Sequence, residues 1–204
     1  SNVYQDSLNK MPFRSEYVYA LSGALQRLAA RSVRPLIVLS AGNDGLDAVW
    51  NGFPLVKTGF PDQIIVVGAS TKQGTMWANS DTGASVDLVA PGDEVYSYNV
   101  SGLTDAIAPL AGTSFSAPMV SGIAGLLWSF DPTLTNSDVR YYILEGARRG
   151  GRTVQKSGNP RLYPVADAYE SLKAAAERTG APLCGNRIWT ESRALKVSRG
   201  SGSE

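Results

Sequence analysis

The sequence predicts an α/β protein, with a mainly parallel sheet flanked by helices. Two short, wholly apolar runs, residues 36–39 and 64–67, suit strands buried on both faces. A stretch with the helical period precedes the first run, and helical stretches return towards the C-terminus. Helix, buried strand and buried strand again is the pattern of a parallel sheet with crossover connections. In such sheets a site lies beyond the carboxyl ends of the strands.

The elements follow in order. Residues 15–31 place Val18, Leu21, Leu25 and Leu28 on one helical face, with Ala24 and Ala29 beside them and Ser15 as a cap. "PLIVLSAGNDG" then gives a strand that Gly42 and Gly45 break. "QIIVVGAS" repeats the buried-strand pattern at residues 64–67. "SVDLVAPGDEVYSYNV" reads as two more short strands, separated by Pro91 and Gly92. Residues 113–129 are apolar and rich in small side chains, which predicts a helix buried nearly all round. Thr135 and Asp138 are spaced as a capping box behind Pro132 and open another helix. "YPVADAYESLKAAAER" is a last helix, and residues 179–204 read as an extension or linker.

Composition narrows the function. The 204 residues are 43 % hydrophobic and 18 % charged, which fits a folded globular chain. A formal net charge of +1 supplies no field that would favour nucleic acid or an anionic membrane. The basic tail "RALKVSR" is too short to change this. No apolar run approaches the ~20 residues needed to span a bilayer. "SNVYQDSLNK" is polar from its first residue and has no initiator Met, the start expected of a mature or cut chain. Cys184 is the only cysteine, so no internal disulfide or zinc site forms from it. The Trp and Tyr side chains read as core and cleft wall rather than a base-stacking platform. Asn99-Val100-Ser101 is a glycosylation sequon, a pattern frequent by chance, and Arg148-Arg149 reads as a solvated face.

Chemistry concentrates in "AGTSFSAPMVSG", residues 111–122. Ser114 stands between a Gly-Thr pair and the start of the 113–129 helix. A serine there faces free N–H groups and the positive end of the helix dipole, a good place to hold a developing oxyanion. Pro118 is expected in the first turn, where its missing N–H costs little. The plain alternative makes Ser114 a helix cap and Gly112 a turn glycine. Asn43, at the end of its strand in "SAGNDG", is a neutral amide that can donate to an oxyanion without carrying charge. Its plain alternative is an ordinary Asn-Asp-Gly turn.

"SAGNDG", "VGAS", "VDLVAPG" and "GTSFSAPMVSG", in this order, resemble the subtilisin-like serine proteases, the subtilases. The resemblance covers roughly residues 10–175. It implies that residues 1–178 are the C-terminal part of a catalytic domain, and that the fold is incomplete without an upstream segment. By this resemblance Ser114 is the acylated nucleophile. Asn43 and the Ser114 backbone N–H form the oxyanion hole. Ser40, Ala41 and Gly42 form one wall of the pocket for the substrate side chain, and the substrate is a peptide or protein. The implied chemistry needs no cofactor. Calcium is known in the family, but no ligand is assigned and Asp44, Asp47, Asp62, Asp87 and Asp93 form no metal-loop pattern. A secreted or extracellular location is the family's implication.

The departures are as informative. The chain contains no histidine, so the base that would take the Ser114 proton is missing. Met119 stands where many relatives have a structural histidine. "DTG" at residues 81–83 resembles the family's aspartate motif, but it follows Asn43 instead of preceding the histidine. It also lacks the second copy an aspartic protease needs. Asp81 is expected to be a solvated turn residue. Two explanations remain open. Either Asp and His lie on an upstream segment or a second chain, or the chain is a non-catalytic peptide-binding relative. The start of the chain, inside the expected sheet, favours the first. An esterase is more remote, because "AGTSFSAP" does not match the Gly-x-Ser-x-Gly elbow.

Overall fold

The computed structural model describes residues 16, 18–51, 53–99 and 106–180. At its centre lies a parallel sheet in the order β1 (Ile37–Ser40), β2 (Ile64–Ser70), β3 (Leu88–Pro91). Ile37 stands opposite Ile64, and Val67 opposite Leu88. The parallel pairing expected of residues 36–39 and 64–67 is observed, with β1 displaced by one residue.

All seven residues of β2 are buried, and their alternation divides the core. Ile65 and Val67, with Leu88 and Ala90, face one layer. That layer holds α3 (Thr113–Phe130), α4 (Asn136–Arg149) and α5 (Ala168–Thr179). Ile64, Val66 and Val89 face the other, with Val18 and Leu25 of α1 (residues 18–29) and Phe53 and Val56 of α2 (Phe53–Gly59). Two antiparallel pairs complete the fold: β4 (Val95–Asn99) with β5 (Ala106–Leu110), and β6 (Thr153–Gln155) with β7 (Leu162–Pro164). A helix layer on each side of a parallel sheet is the predicted α/β class. The predicted capping box is present: Thr135 accepts from the Asp138 N–H, and the Asp138 carboxylate accepts from Thr135.

Three expectations change. β1 is half-buried along its length, because among the described residues β2 is its only strand partner in the sheet. An apolar run shows that a strand is covered, not how many neighbours it has. The helix at residues 113–129 is not buried all round. Thr113, Ser116, Ala117, Val120, Ile123, Ala124 and Leu127 pack inward, while the opposite side is exposed. Its small and apolar residues lie on both faces, so the sequence carries no polar stripe to mark the open side. The tyrosines divide: Tyr142 and Tyr163 are buried, but Tyr19, Tyr96, Tyr98, Tyr141 and Tyr169 are exposed.

The elements α2, β5, β6 and β7 are additional to those read from the sequence. β6 and β7 are three residues each, too short to show a period, and Pro109 inside β5 argues locally against a strand. Ser15, Val100 and Ser101 of the sequon, Cys184, the basic tail and residues 181–204 of the extension lie outside the described residues.

Candidate active site

The site forms where the carboxyl ends of the strands meet the start of α3. After Ser40 the chain remains on the sheet for one more bond, from the Ala41 N–H to the Val67 carbonyl at 2.9 Å. Gly42 then adopts a φ of 118°, a region that disfavours side chains, and turns the chain outward. Its N–H donates to Thr113 Oγ1 at 3.3 Å. Asn43 follows on the exposed loop, with its side chain held: Oδ1 accepts from the Thr113 N–H at 2.9 Å and from Thr113 Oγ1 at 2.8 Å. The amide oxygen is thus occupied, and Nδ2 is the end left to donate. Asn43 is bonded across the fold to α3 instead of closing its own turn.

The start of α3 is fixed from below. The Gly112 N–H donates to the Gly92 carbonyl at 2.7 Å, and the Gly92 N–H to the Ser70 carbonyl at 3.0 Å. Ser116 Oγ donates to the Ala90 carbonyl at 3.0 Å, so the ends of β2 and β3 both locate the helix. Gly112 is the N-cap, and no side chain of the helix itself caps it. Ser114 is therefore a first-turn residue and not the cap. Of the first-turn donors, the Thr113 N–H is taken by Asn43 and the Phe115 N–H by Gly112. The Ser114 N–H and hydroxyl have no hydrogen-bond partner among the described residues, and Ser114 is exposed. Pro118 is the sixth residue of α3, one turn later than expected. Lacking an N–H, it cannot bond the carbonyl four residues before it, that of Ser114.

Of the remaining candidates, Ala41 is buried, Ser40 is half-buried at the end of β1, and Gly42 is half-buried and bonded to Thr113. Asp81 differs from its expected role. It is fully buried, and its Oδ1 accepts from the Asp44 N–H at 3.1 Å and the Leu46 N–H at 2.8 Å. The irregular loop after Asn43 has inward-pointing N–H groups with no strand to pair them, and the carboxylate satisfies them. Lys156 reaches the same loop from the β6 side. Its Nζ donates to the carbonyls of Gly45 at 2.8 Å and Ser80 at 3.0 Å, and burial pushes its pKa down. Thr113, Asp81 and Lys156 were not legible as site residues, since each acts through a bond to a residue far along the chain.

Among the described residues no three His, Cys, Asp or Glu side chains converge as a metal site, so no residue is assigned to calcium. Nor is any helix among the described residues long and apolar enough to cross a membrane. One helix start thus brings together the exposed Ser114, with its N–H and hydroxyl, and the Asn43 amide held at Thr113, and the sequence contains no histidine.

Comparison with protein families matches residues 2–164 to the subtilase family. Subtilisin DY of Bacillus licheniformis is 35 % identical over 123 residues, 59 % of this chain and 42 % of that protein. Alkaline protease 1 of Emericella nidulans is 33 % identical over 152 residues, 74 % of this chain and 36 % of that protein. Among solved structures, a protease of Pseudoalteromonas arctica superposes with a TM-score of 0.58 at 25 % identity, covering 72 % of this chain and 44 % of its own. The self-cleaved protease domain of PatA gives 0.55 at 25 %, covering 76 % and 54 %. The chain thus spans less than half the length of the two curated relatives.

Proposed function

Because the chain belongs to the subtilase family, we propose that it is the nucleophile-bearing part of a serine endopeptidase. A segment or second chain carrying Asp and His completes it. The observation that carries this reading is the open face of α3. Ser114, Pro118, Gly122, Gly125, Leu126 and Ser129 are exposed along one side of the helix, and α3 contains no charged residue. The would-be Cβ atoms of Gly122 and Gly125 meet no described residue within 4 Å. An uncharged helix face of this length is a surface that another element covers. Ser114 stands on that same face, so whatever covers it is placed to bring the base.

In the assembled protease a histidine imidazole takes the Ser114 proton as Oγ attacks the scissile carbonyl carbon, and an aspartate orients that imidazole. Asn43 Nδ2 and the Ser114 N–H hold the resulting oxyanion. The imidazolium returns its proton to the leaving amine as the C–N bond breaks, and water then releases the acyl group from Ser114. Ser40, Ala41 and Gly42 wall the pocket for the substrate side chain. The exposed Ser114 suits a peptide or protein substrate reaching it from solvent, and the family resemblance favours a secreted or extracellular setting.

The test is peptide cleavage, and labelling of Ser114 by a serine-directed phosphonate, with the chain alone and with the segment supplied. The chain alone is expected to hydrolyse no faster than the ~10³–10⁴ over water that remains without a triad. Reactivity should appear when the segment docks. Full activity of the pure chain refutes the missing-base account. Docking without activity makes the chain a peptide-binding module.

A further inference from the structure

An oxyanion donor is useful only if it is fixed before charge develops. Asn43 nevertheless sits on a loop with no regular secondary structure from residue 43 to 46. Its side chain is held at Thr113, and its backbone is held elsewhere. On one side the Gly42 carbonyl accepts from the Asp81 N–H at 2.9 Å. On the other, the Asp44 and Leu46 N–H groups donate to Asp81 Oδ1 at 3.1 and 2.8 Å. The Gly45 N–H donates to the Asn79 carbonyl at 2.9 Å, and Lys156 Nζ bridges the Gly45 and Ser80 carbonyls. Asn43 is thus flanked on both sides by backbone bonds to the 79–81 segment.

We infer that Asp81 and Lys156 form a positioning clamp that holds the Asn43 side chain in its oxyanion-binding orientation. This role rests on the oxyanion reading of Asn43 above. Neither residue is bonded to Ser114, so neither is catalytic; both act through the loop. The choice of side chains has a physical reason. Hydrogen bonds to an ionised acceptor are roughly twice as strong as neutral ones. A fully buried carboxylate is tolerated because it accepts such bonds and has an ammonium nearby. The Asp81 charge favours the charged form of Lys156, against the burial that disfavours it.

Hydrogen exchange at the Thr113 amide tests the clamp on the chain itself. That N–H is bonded to Asn43 and not to Asp81, so movement of Asn43 away from the helix start exposes it. Asp81→Ala should speed its exchange roughly tenfold or more, as local opening of a weakened segment does, while amides of α4 stay protected. Asp81→Asn keeps an oxygen where both N–H groups donate and should restore most of the protection. Lys156→Met should expose Thr113 to an intermediate degree. If Asp81→Ala unfolds the whole chain, the other two variants decide. Unchanged Thr113 protection in both overturns the clamp, as does faster exchange confined to Asp44 and Leu46.

Kinetics on the assembled protease separates the clamp from the reading beneath it. Per phosphonate-titrated serine, Asp81→Ala should lower kcat between about tenfold and about a hundredfold with KM unchanged. In an Asn43→Ala background it should cost nothing further. Full additivity overturns the clamp. An Asn43→Ala variant with unchanged kcat instead overturns the oxyanion role, whatever the exchange experiment shows.

Discussion

Gly92 shows how little room there is beneath the helix start that carries Ser114. It lies between the end of the sheet and the start of α3, bonded to Ser70 on one side and Gly112 on the other. A Cβ there would lie 2.2 Å from Ser116 Oγ, 2.7 Å from Ala69 Cβ and 2.9 Å from the Gly112 carbonyl. None of these can swing away as the tip of a long side chain could. Gly92→Ala should therefore cost ~1–3 kcal/mol by overpacking. Thermal unfolding should show a lower Tm, and phosphonate labelling of Ser114 in the assembled protein should slow, because the shift is transmitted through Gly112. An unchanged Tm would mean that Gly92 does not locate the helix. Gly112 and Ser114 are legible in the sequence as a motif. The reason for Gly92 is not, since it depends on a serine 24 residues away (92 to 116).

At the scale of elements, α4 and α5 carry most of the ion pairs among the described residues. Glu145 accepts from Arg148 and Arg149, and these bonds hold its carboxyl down at about 2, below the ordinary 4.5. Arg149 also bonds Glu177 of α5. Asp138 is lowered by its Thr135 bond, and Arg178 of α5 adds to this. A carboxylate whose folded pKa lies below its unfolded value stabilises the fold above the unfolded pKa. That contribution is lost as pH falls through the window down to the folded value. Stability should therefore decline between pH 4.5 and about 2, the Glu145 window. The slope is modest, because exposed pairs are screened by water. Denaturant unfolding across that range should show a shallower slope for Glu145→Gln, and an equal slope would remove Glu145 from the account. The cap of α4 was readable as a local spacing, Thr135 to Asp138. Its pairing with α5 was not, because Arg149–Glu177 and Asp138–Arg178 depend on how the two helices lie together.

At the scale of the whole molecule, the sheet is covered on both faces, yet β1 and the outer side of α3 are not covered by any described residue to the extent their composition calls for. Leu126 is 50 % exposed and Met119 38 %, on a helix without a charge. Leu126→Glu should leave the chain's own stability within ~0.5 kcal/mol, as surface substitutions do. It should weaken docking of the segment proposed to carry Asp and His, since it places a charge on the face proposed to be covered. Titration calorimetry of chain against segment reads the loss directly. Equal affinity would place the docking surface elsewhere.

The amino-acid sequence by itself determined the α/β class, the parallel pairing of β1 and β2, and the start of α4. All rest on patterns within a few residues of one another. It also pointed to the family, through the "GTSFSAPMVSG" motif, and it contains no histidine. Tertiary structure alone decided that Asp81 is buried and not a solvated turn, that α3 has an open face, and that Asn43 is oriented by Thr113. The physical reason is range. Period and capping are local properties of the chain, whereas the bond from Asn43 to Thr113 spans 70 residues and that from Asp81 to Asp44 spans 37. Such bonds exist only once the strands have set the loops side by side.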